Sequence, residues 1–318
     1  MKDQLVIGSR GSKLALWQAE WVRARLAALS PRLVVRVQVV KTSGDVLRDA
    51  PLSVIGGQGA FTRELEHALL ERRIDLAVHS LKDLPTVSPE GLTLAAVTER
   101  EDPRDALVLP AGGNCVDNIS VKRLPPGARV GTSSLRRRAQ LRHLRPDLVL
   151  GELRGNVDTR LRKPDVGEFD AIVLAAAGLR RLGLADRISA YLSAEELLPA
   201  VGQGALGLET RDDDAETVSL VAQLNHAPTH DACAAERALL RQFGAGCQVP
   251  IAAHAVVREG GLRLEGLVAA PSGEEVLREA IEGRADEAGR LGVELALSLQ
   301  ARGAAFLLTG TPAASFRA

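Results

Sequence analysis

Strand-like runs in this chain hand over repeatedly to helical stripes across turns rich in Gly, Ser, Thr and Arg. Residues 5–7 lead through Ser9-Arg10-Gly11-Ser12 into Leu14, Trp17, Trp21, Val22, Leu26 and Leu29, spaced as one helix face with both tryptophans in the core. Residues 33–40 are β-branched and form a second strand. A glycine-rich loop at 55–59 precedes a helix over 60–72, and a strand over 74–78 ends in His79-Ser80-Leu81-Lys82-Asp83-Leu84-Pro85. The middle repeats the pattern. Strand 129–130 leads to Gly131-Thr132-Ser133-Ser134, strand 148–150 to Leu153-Arg154-Gly155-Asn156, and strand 171–174 to a further helix. Such alternation gives an α/β fold with mainly parallel sheets. From about residue 224 the character changes. Two helical stretches lead to Cys247, followed by strands at 252–257 and 262–269, a helix near 286–302 and a weakly patterned tail, which reads as a smaller α+β domain.

Several function classes drop out on composition. The 40 basic and 40 acidic residues cancel, so no whole-molecule field draws nucleic acid or an anionic membrane. Aromatic residues at 3% are too few for a base-stacking platform. Cys115, Cys233 and Cys247 are widely spaced with no CxxC, which signals neither a disulfide framework nor a zinc ribbon. His226 and His230 have the spacing of a metal pair, but Pro228 between them spoils the helical face it needs. No signal-peptide or membrane-spanning run follows the start, so the chain reads as cytoplasmic, without membrane or nucleic-acid partners.

Of the basic residues only six are lysine and 34 are arginine. Genomic base composition is one explanation. Carboxylate recognition by the bidentate guanidinium fork is the other. Position favours the second. Three turns, at Ser9-Arg10-Gly11-Ser12, at Thr132-Ser133-Ser134-Leu135-Arg136-Arg137 and at Arg154-Gly155-Asn156 with Arg160 beyond, put hydroxyls, free N–H groups and arginines at helix N-termini, where anions bind. In open α/β sheets these turns converge on one crevice, which suits a multiply anionic small molecule. Ordinary N-capping by Ser and Thr is the simpler alternative for any one of them. Asp83, at the end of a strand and facing this basic cleft, could stabilise a cation or accept a proton, or it could merely bond its own turn. Cys247 sits in Gly244-Ala245-Gly246-Cys247-Gln248-Val249-Pro250, an irregular setting that suits a nucleophile or attachment point. Cys233 reads as a small buried residue of a helix.

Taken together, these segments resemble the porphobilinogen deaminase (hydroxymethylbilane synthase) family. The resemblance adds Arg100-Glu101-Asp102-Pro103-Arg104-Asp105 and Leu198-Pro199-Ala200-Val201-Gly202-Gln203-Gly204-Ala205 to the motifs above, and it covers essentially the whole chain. It implies two domains like those of type II periplasmic binding proteins, 1–99 with 201–222 and 100–200, plus a smaller α+β domain, 223–318. It implies a transferase that joins four porphobilinogen molecules into a linear tetrapyrrole for porphyrin and heme biosynthesis, working as a monomer. The implied cofactor is dipyrromethane, attached by a thioether to Cys247. Asp83 matches the catalytic aspartate. Arg10, Arg136, Arg137, Arg154, Arg160 and Arg181 match arginines that hold carboxylates of cofactor, substrate or growing oligopyrrole. Ser12, Lys82, Thr132, Ser133, Ser134 and Gln203 match supporting contacts. Val54 and Gln58 stand where family members often carry lysines. Two rivals are a non-catalytic small-anion binding protein, which the crevice alone permits, and a cysteine hydrolase, for which no histidine stands in a suitable local motif.

Overall fold

A computed structural model of the chain describes residues 2–41, 62–112, 119–244 and 249–309; the loop at 55–59 with Val54, Cys115 and Cys247 lie outside the described residues. Strands β1 (Gln4–Ser9), β2 (Val34–Val39), β3 (Leu76–Ser80) and β4 (Leu92–Val97) come with helices α1 (Lys13–Leu29) and α2 (Arg63–Leu70). The chain then crosses to β5 (Asp105–Val108), β6 (Arg129–Gly131), β7 (Val149–Gly151), β8 (Ala171–Ala175) and β9 (Ala190–Leu192), with α3 (Leu135–Leu144), α4 (Val157–Asp165) and α5 (Ala176–Arg181) between them. It returns through β10 (Leu206–Arg211) and α6 (Ala215–Ala222) and runs along α7 (Ala227–Gln242). β11 (Ile251–Arg258), β12 (Gly261–Ala269), β13 (Val276–Arg284), α8 (Ala288–Ala301) and α9 (Ala304–Thr309) follow.

The strands form two five-stranded sheets, ordered β2-β1-β3-β10-β4 and β7-β6-β8-β5-β9, and one three-stranded sheet, β11-β12-β13. The two larger sheets share one pattern. In each, the strand that arrives from the other sheet, β10 or β5, lies antiparallel in the fourth position. These are α/β lobes of the type II periplasmic-binding-protein kind, beside a smaller α+β unit. The expectation of mainly parallel sheets is corrected accordingly. Only β1–β2, β1–β3, β6–β7 and β6–β8 are parallel. The two crossings insert an antiparallel strand into each lobe, and the third sheet is antiparallel throughout.

Helix α1 starts at Ser12, whose Oγ accepts from the Ala15 N–H at 3.2 Å. Its buried face is Ala15, Gln18, Ala19, Val22 and Leu26. The two alanines let the helix lie close on the sheet, which leaves Trp17 outside the contact. Trp17 is 37% exposed, against the core reading, whereas Trp21 packs half-buried against the core of the first lobe, under the Arg25 guanidinium at 5.0 Å. In the third unit Leu239 of α7 and Leu291 and Leu295 of α8 cover one sheet face in a cluster with Leu264 of β12, each nearly or fully buried and each contributing about 1.5–3 kcal/mol. The start of α7 revises the reading of its histidines. Pro228 lies in the first turn, where its missing N–H costs nothing, so the helix continues through His230 and His226 becomes its N-cap. Among the described residues no helix is long and apolar enough to cross a membrane.

Candidate active site

The parallel registers decide where the three turns lie. Gly8 pairs with Ala77, so the turn after β1, with Arg10 and Ser12, opens beside the end of β3 and the single helical turn Leu81–Asp83 that follows it. In the other lobe Gly131 faces Gly151 and Ile172, which aligns the turns after β6, β7 and β8 on one edge. These are carboxyl edges, where open α/β sheets bind ligands. Gln18 Nε2 donates to Ser80 Oγ at 3.0 Å and fixes α1 to the end of β3. Lys13 and Asp158, 2.6 Å apart, span the mouth between the lobes, but both are exposed, so the pair adds at most about 1 kcal/mol.

Part of the hydroxyl chemistry is spent on the turns themselves. Ser12 and Ser134 are N-caps, the latter accepting from the Arg137 N–H at 3.4 Å; a capping hydroxyl accepts and keeps its own proton to donate outward. Ser133 Oγ accepts from the Leu153 N–H at 2.9 Å and donates to the Leu153 carbonyl at 3.0 Å, which knits the second turn to the third. Thr132 is buried and accepts from the Ser134 N–H. Gly155 holds φ at +102°, and a Cβ there would run into Thr159, so the third turn admits only glycine.

Charge is distributed unevenly over this cleft. Asp105 at the start of β5 is fully buried and accepts from Arg136 Nη1 at 2.8 Å, Arg137 Nε at 3.0 Å, Arg137 Nη2 at 2.7 Å and Gln203 Nε2 at 3.0 Å. Burial opposes its ionisation, but the two guanidinium groups outweigh this and hold its carboxyl well below the usual range. Gln203 reaches the other way with Oε1, accepting from Lys82 Nζ at 3.4 Å, and its Nε2 also donates to the Pro103 carbonyl. Loss of hydration pushes the Lys82 ammonium down to about 8, with Asp83 and Asp105 opposing and Arg136 and Arg137 reinforcing the shift. Arg160 is driven to about 10 by burial and by repulsion from Arg137 and Arg154, with Asp83 as its attractive neighbour. Arg181 also falls to about 10 through burial, while donating to the Gly204 carbonyl at 2.6 Å. Arg154 touches Glu152 at 3.2 Å.

The structure therefore gathers Lys82 and Asp83 of one lobe with Arg136, Arg137, Arg154 and Arg160 of the other. Arg10 shares the lobe and edge of Asp83. Asp83 itself is exposed, and among the described residues no group donates to its carboxylate, so it does not act as a turn clip. The Nε atoms of Arg136 and Arg160 are buried without a partner. Buried guanidinium N–H groups without acceptors are what a ligand carrying several carboxylates would satisfy. Sequence reasoning missed Asp105. Its signals were its place at the end of the Arg100-Glu101-Asp102-Pro103-Arg104-Asp105 motif, directly ahead of the apolar strand 106–108, and two arginines at the head of a later helix. Cys233 is fully buried, and burial pushes its thiol up to about 12, so it is no nucleophile.

A protein-family model described as porphobilinogen deaminase, dipyromethane cofactor binding domain, matches residues 5–219, and one described as porphobilinogen deaminase, C-terminal domain, matches residues 231–301. The chain belongs to the porphobilinogen deaminase family. It is 55% identical to the porphobilinogen deaminase of Chromobacterium violaceum, over 95% of this chain and 96% of that one. To the porphobilinogen deaminase of Pelobacter propionicus it is 52% identical over 96% of each chain. Among solved structures, the methionine binding protein MetQ aligns at 15% identity and TM-score 0.44, over 70% of this chain and 89% of that one. The effector binding domain of BenM aligns at 15% identity and TM-score 0.43, over 70% and 91%. Family membership makes the chain a transferase of tetrapyrrole synthesis that uses a dipyrromethane cofactor. The reading as a non-catalytic anion-binding protein is thereby set aside.

Proposed function

We propose that the chain deaminates four porphobilinogen molecules in turn and joins them head to tail into hydroxymethylbilane, releasing ammonia, with Asp83 as the catalytic group and Cys247 as the cofactor anchor. Three units carry this out: 1–99 with 201–222, 100–200, and 223–318, each built on one of the three sheets. The protein works as a cytoplasmic monomer whose partners are porphobilinogen and the growing oligopyrrole. The observation that carries the reading is the anion-poor cluster around Asp83, where Arg160 lies half-buried beside Arg137 and Arg154 and its buried Nε lacks an acceptor. Dipyrromethane, when bound, supplies the pyrrole terminus on which the product grows, and its carboxylates suit the orphaned N–H groups of Arg136 and Arg160.

The remaining roles follow from charge. Each porphobilinogen brings an acetate and a propionate, which Arg10, Arg154 and Arg181 bind, helped by Lys82, Gln203 and the outward hydroxyl protons of Ser12 and Ser134. Arg136, Arg137 and Arg160 hold the cofactor, with Thr132 and Ser133 bracing their turn. Loss of ammonia leaves positive charge on the substrate's methylene-pyrrole unit. The exposed Asp83 carboxylate, which no described donor neutralises, stabilises that charge and takes up the proton released when the pyrrole ring regains aromaticity.

The intact mass of the purified protein tests this. It should exceed the sequence mass by two linked pyrrole units, and Cys247→Ser should abolish both the excess and the activity. A fully active protein of unmodified mass would overturn the assignment.

A further inference from the structure

Three successive carbonyls leave the Asp83 turn, those of Leu84, Pro85 and Thr86, and among the described residues no backbone N–H reaches any of them. Two arginines one turn apart on α7 do so instead. Arg237 Nη1 donates to the Leu84 carbonyl at 3.2 Å and Nη2 to the Pro85 carbonyl at 2.6 Å, while Arg241 Nη2 donates to the Thr86 carbonyl at 2.7 Å. Arg237 is 7% exposed, so this charge has been taken out of water to grip a loop. Beneath it, Leu81 and Leu84 on either side of Lys82-Asp83 pack with Cys233 of the same helix in one buried cluster. The turn is held from its far end as well, because the Leu81 N–H donates to the Ala205 carbonyl at 3.0 Å.

We infer that Arg237 is a positioning residue for Asp83, fixing the turn that carries the acid to helix α7. This rests on the proposed role of Asp83. A single helix thus sets the height of the acid. A bidentate guanidinium defines both the position and the direction of the two carbonyls it grips, which a lysine ammonium does not. Misplacing a catalytic group by about 1 Å costs up to about 10²-fold in rate, so loosening the grip lowers turnover without removing any group that touches substrate.

The test is a double-mutant cycle read on loaded enzyme. Arg237→Met keeps the apolar stem and removes the fork; it should load dipyrromethane normally by intact mass, keep KM within about twofold, and lose about 10- to 10²-fold in kcat. Arg237→Lys should recover part of that loss. In an Asp83→Asn background, Arg237→Met should cost almost nothing more, since an arginine acting only through Asp83 has nothing left to position. Near wild-type turnover in Asp83→Asn alone would sink the role of Asp83. A crippled Asp83→Asn, combined with either a wild-type Arg237→Met or a fully additive loss in the double variant, would sink the positioning role and leave Asp83 standing. If Arg237→Met fails to fold, the same cycle with Arg237→Lys decides between additive and non-additive loss.

Discussion

Lys82 sits between two carboxylates and two guanidinium groups, and loss of hydration has moved its ammonium to about 8. Since the folded pKa is depressed, the side chain is charged below about pH 8 and neutral above it. An ammonium that helps to hold a substrate carboxylate is therefore lost as pH rises through that value. We expect kcat/KM for porphobilinogen, which reports the free enzyme, to fall above about pH 8 by up to about tenfold per pH unit. Lys82→Arg should move this limb to higher pH, because guanidinium stays protonated; an unchanged limb in that variant would assign it to another group. At this scale the sequence was informative where chemistry and backbone coincide. Asp83 and Arg154 lie within three residues of strand ends, and Arg160 in the first turns of the helix after β7, so their place at a carboxyl edge was legible. Asp105 was not, because its role depends on two arginines 31 and 32 residues away that only the sheet order brings to it. Trp17 misled for a related reason. Periodicity gives the face of α1, but the close approach made possible by Ala15 and Ala19 decides which side chains fit beneath it.

Helix α3 carries two buried arginines in its first turn. Arg136 and Arg137 follow the Ser134 cap, and both reach back to Asp105. Arg137 places Nε and Nη2 on the same carboxylate oxygen, a fork that lysine lacks. Truncating either arginine would leave Asp105 buried beside a reduced countercharge, at about 2–5 kcal/mol, so lysine is the fairer probe. Arg136→Lys and Arg137→Lys should impair capture of the pyrrole units by the apo-protein, whereas Arg10→Lys should load and then stall with pyrrole units attached. The ladder of intact masses after substrate addition distinguishes these outcomes, and normal loading and elongation in all three variants would make these turns ordinary caps. The elements themselves were largely legible, since strands β1, β3, β6 and β8 announce themselves by apolar runs ahead of turns. The antiparallel insertions were not. Residues 105–108 and 206–211 are buried along their whole length, as a central parallel strand would be, and direction depends on where the chain has just been. The common strand order of the two lobes leaves no repeat in the sequence, because it lives in connectivity rather than in residue identity.

The three proposed units meet at Glu236, a fully buried carboxylate on α7. Its Oε1 accepts from Arg100 Nη1 at 2.6 Å and from the Ala255 N–H at 2.8 Å, and its Oε2 from Arg100 Nη2 at 3.2 Å and the Gly202 N–H at 2.7 Å. Arg100 lies on the outward crossing between the lobes and Gly202 on the return, while Ala255 belongs to β11. One side chain therefore ties both crossings to the third sheet, and Arg100 Nε adds a bond to the Gln203 carbonyl at 2.8 Å. Each carboxylate oxygen faces two donors, so Glu236→Gln is not conservative: whichever way the amide turns, its NH2 meets two N–H groups. Glu236→Ala strands the Arg100 charge as well. We expect Glu236→Ala to cost about 3–5 kcal/mol, the scale of breaking a buried ion pair by removing one partner. Arg100→Ala should cost a similar amount, and the double variant little more than either alone, because the pair acts as a unit. With the tie removed, the third unit has less reason to unfold together with the lobes. Urea unfolding followed separately by tryptophan fluorescence, which reports α1 in the first lobe, and by far-ultraviolet dichroism should then lose the coincidence expected of a single cooperative transition. Coincident curves in Glu236→Ala, or a loss under about 1 kcal/mol, would mean that apolar contacts alone hold the units together and that the ion pair at the crossings is incidental to their union.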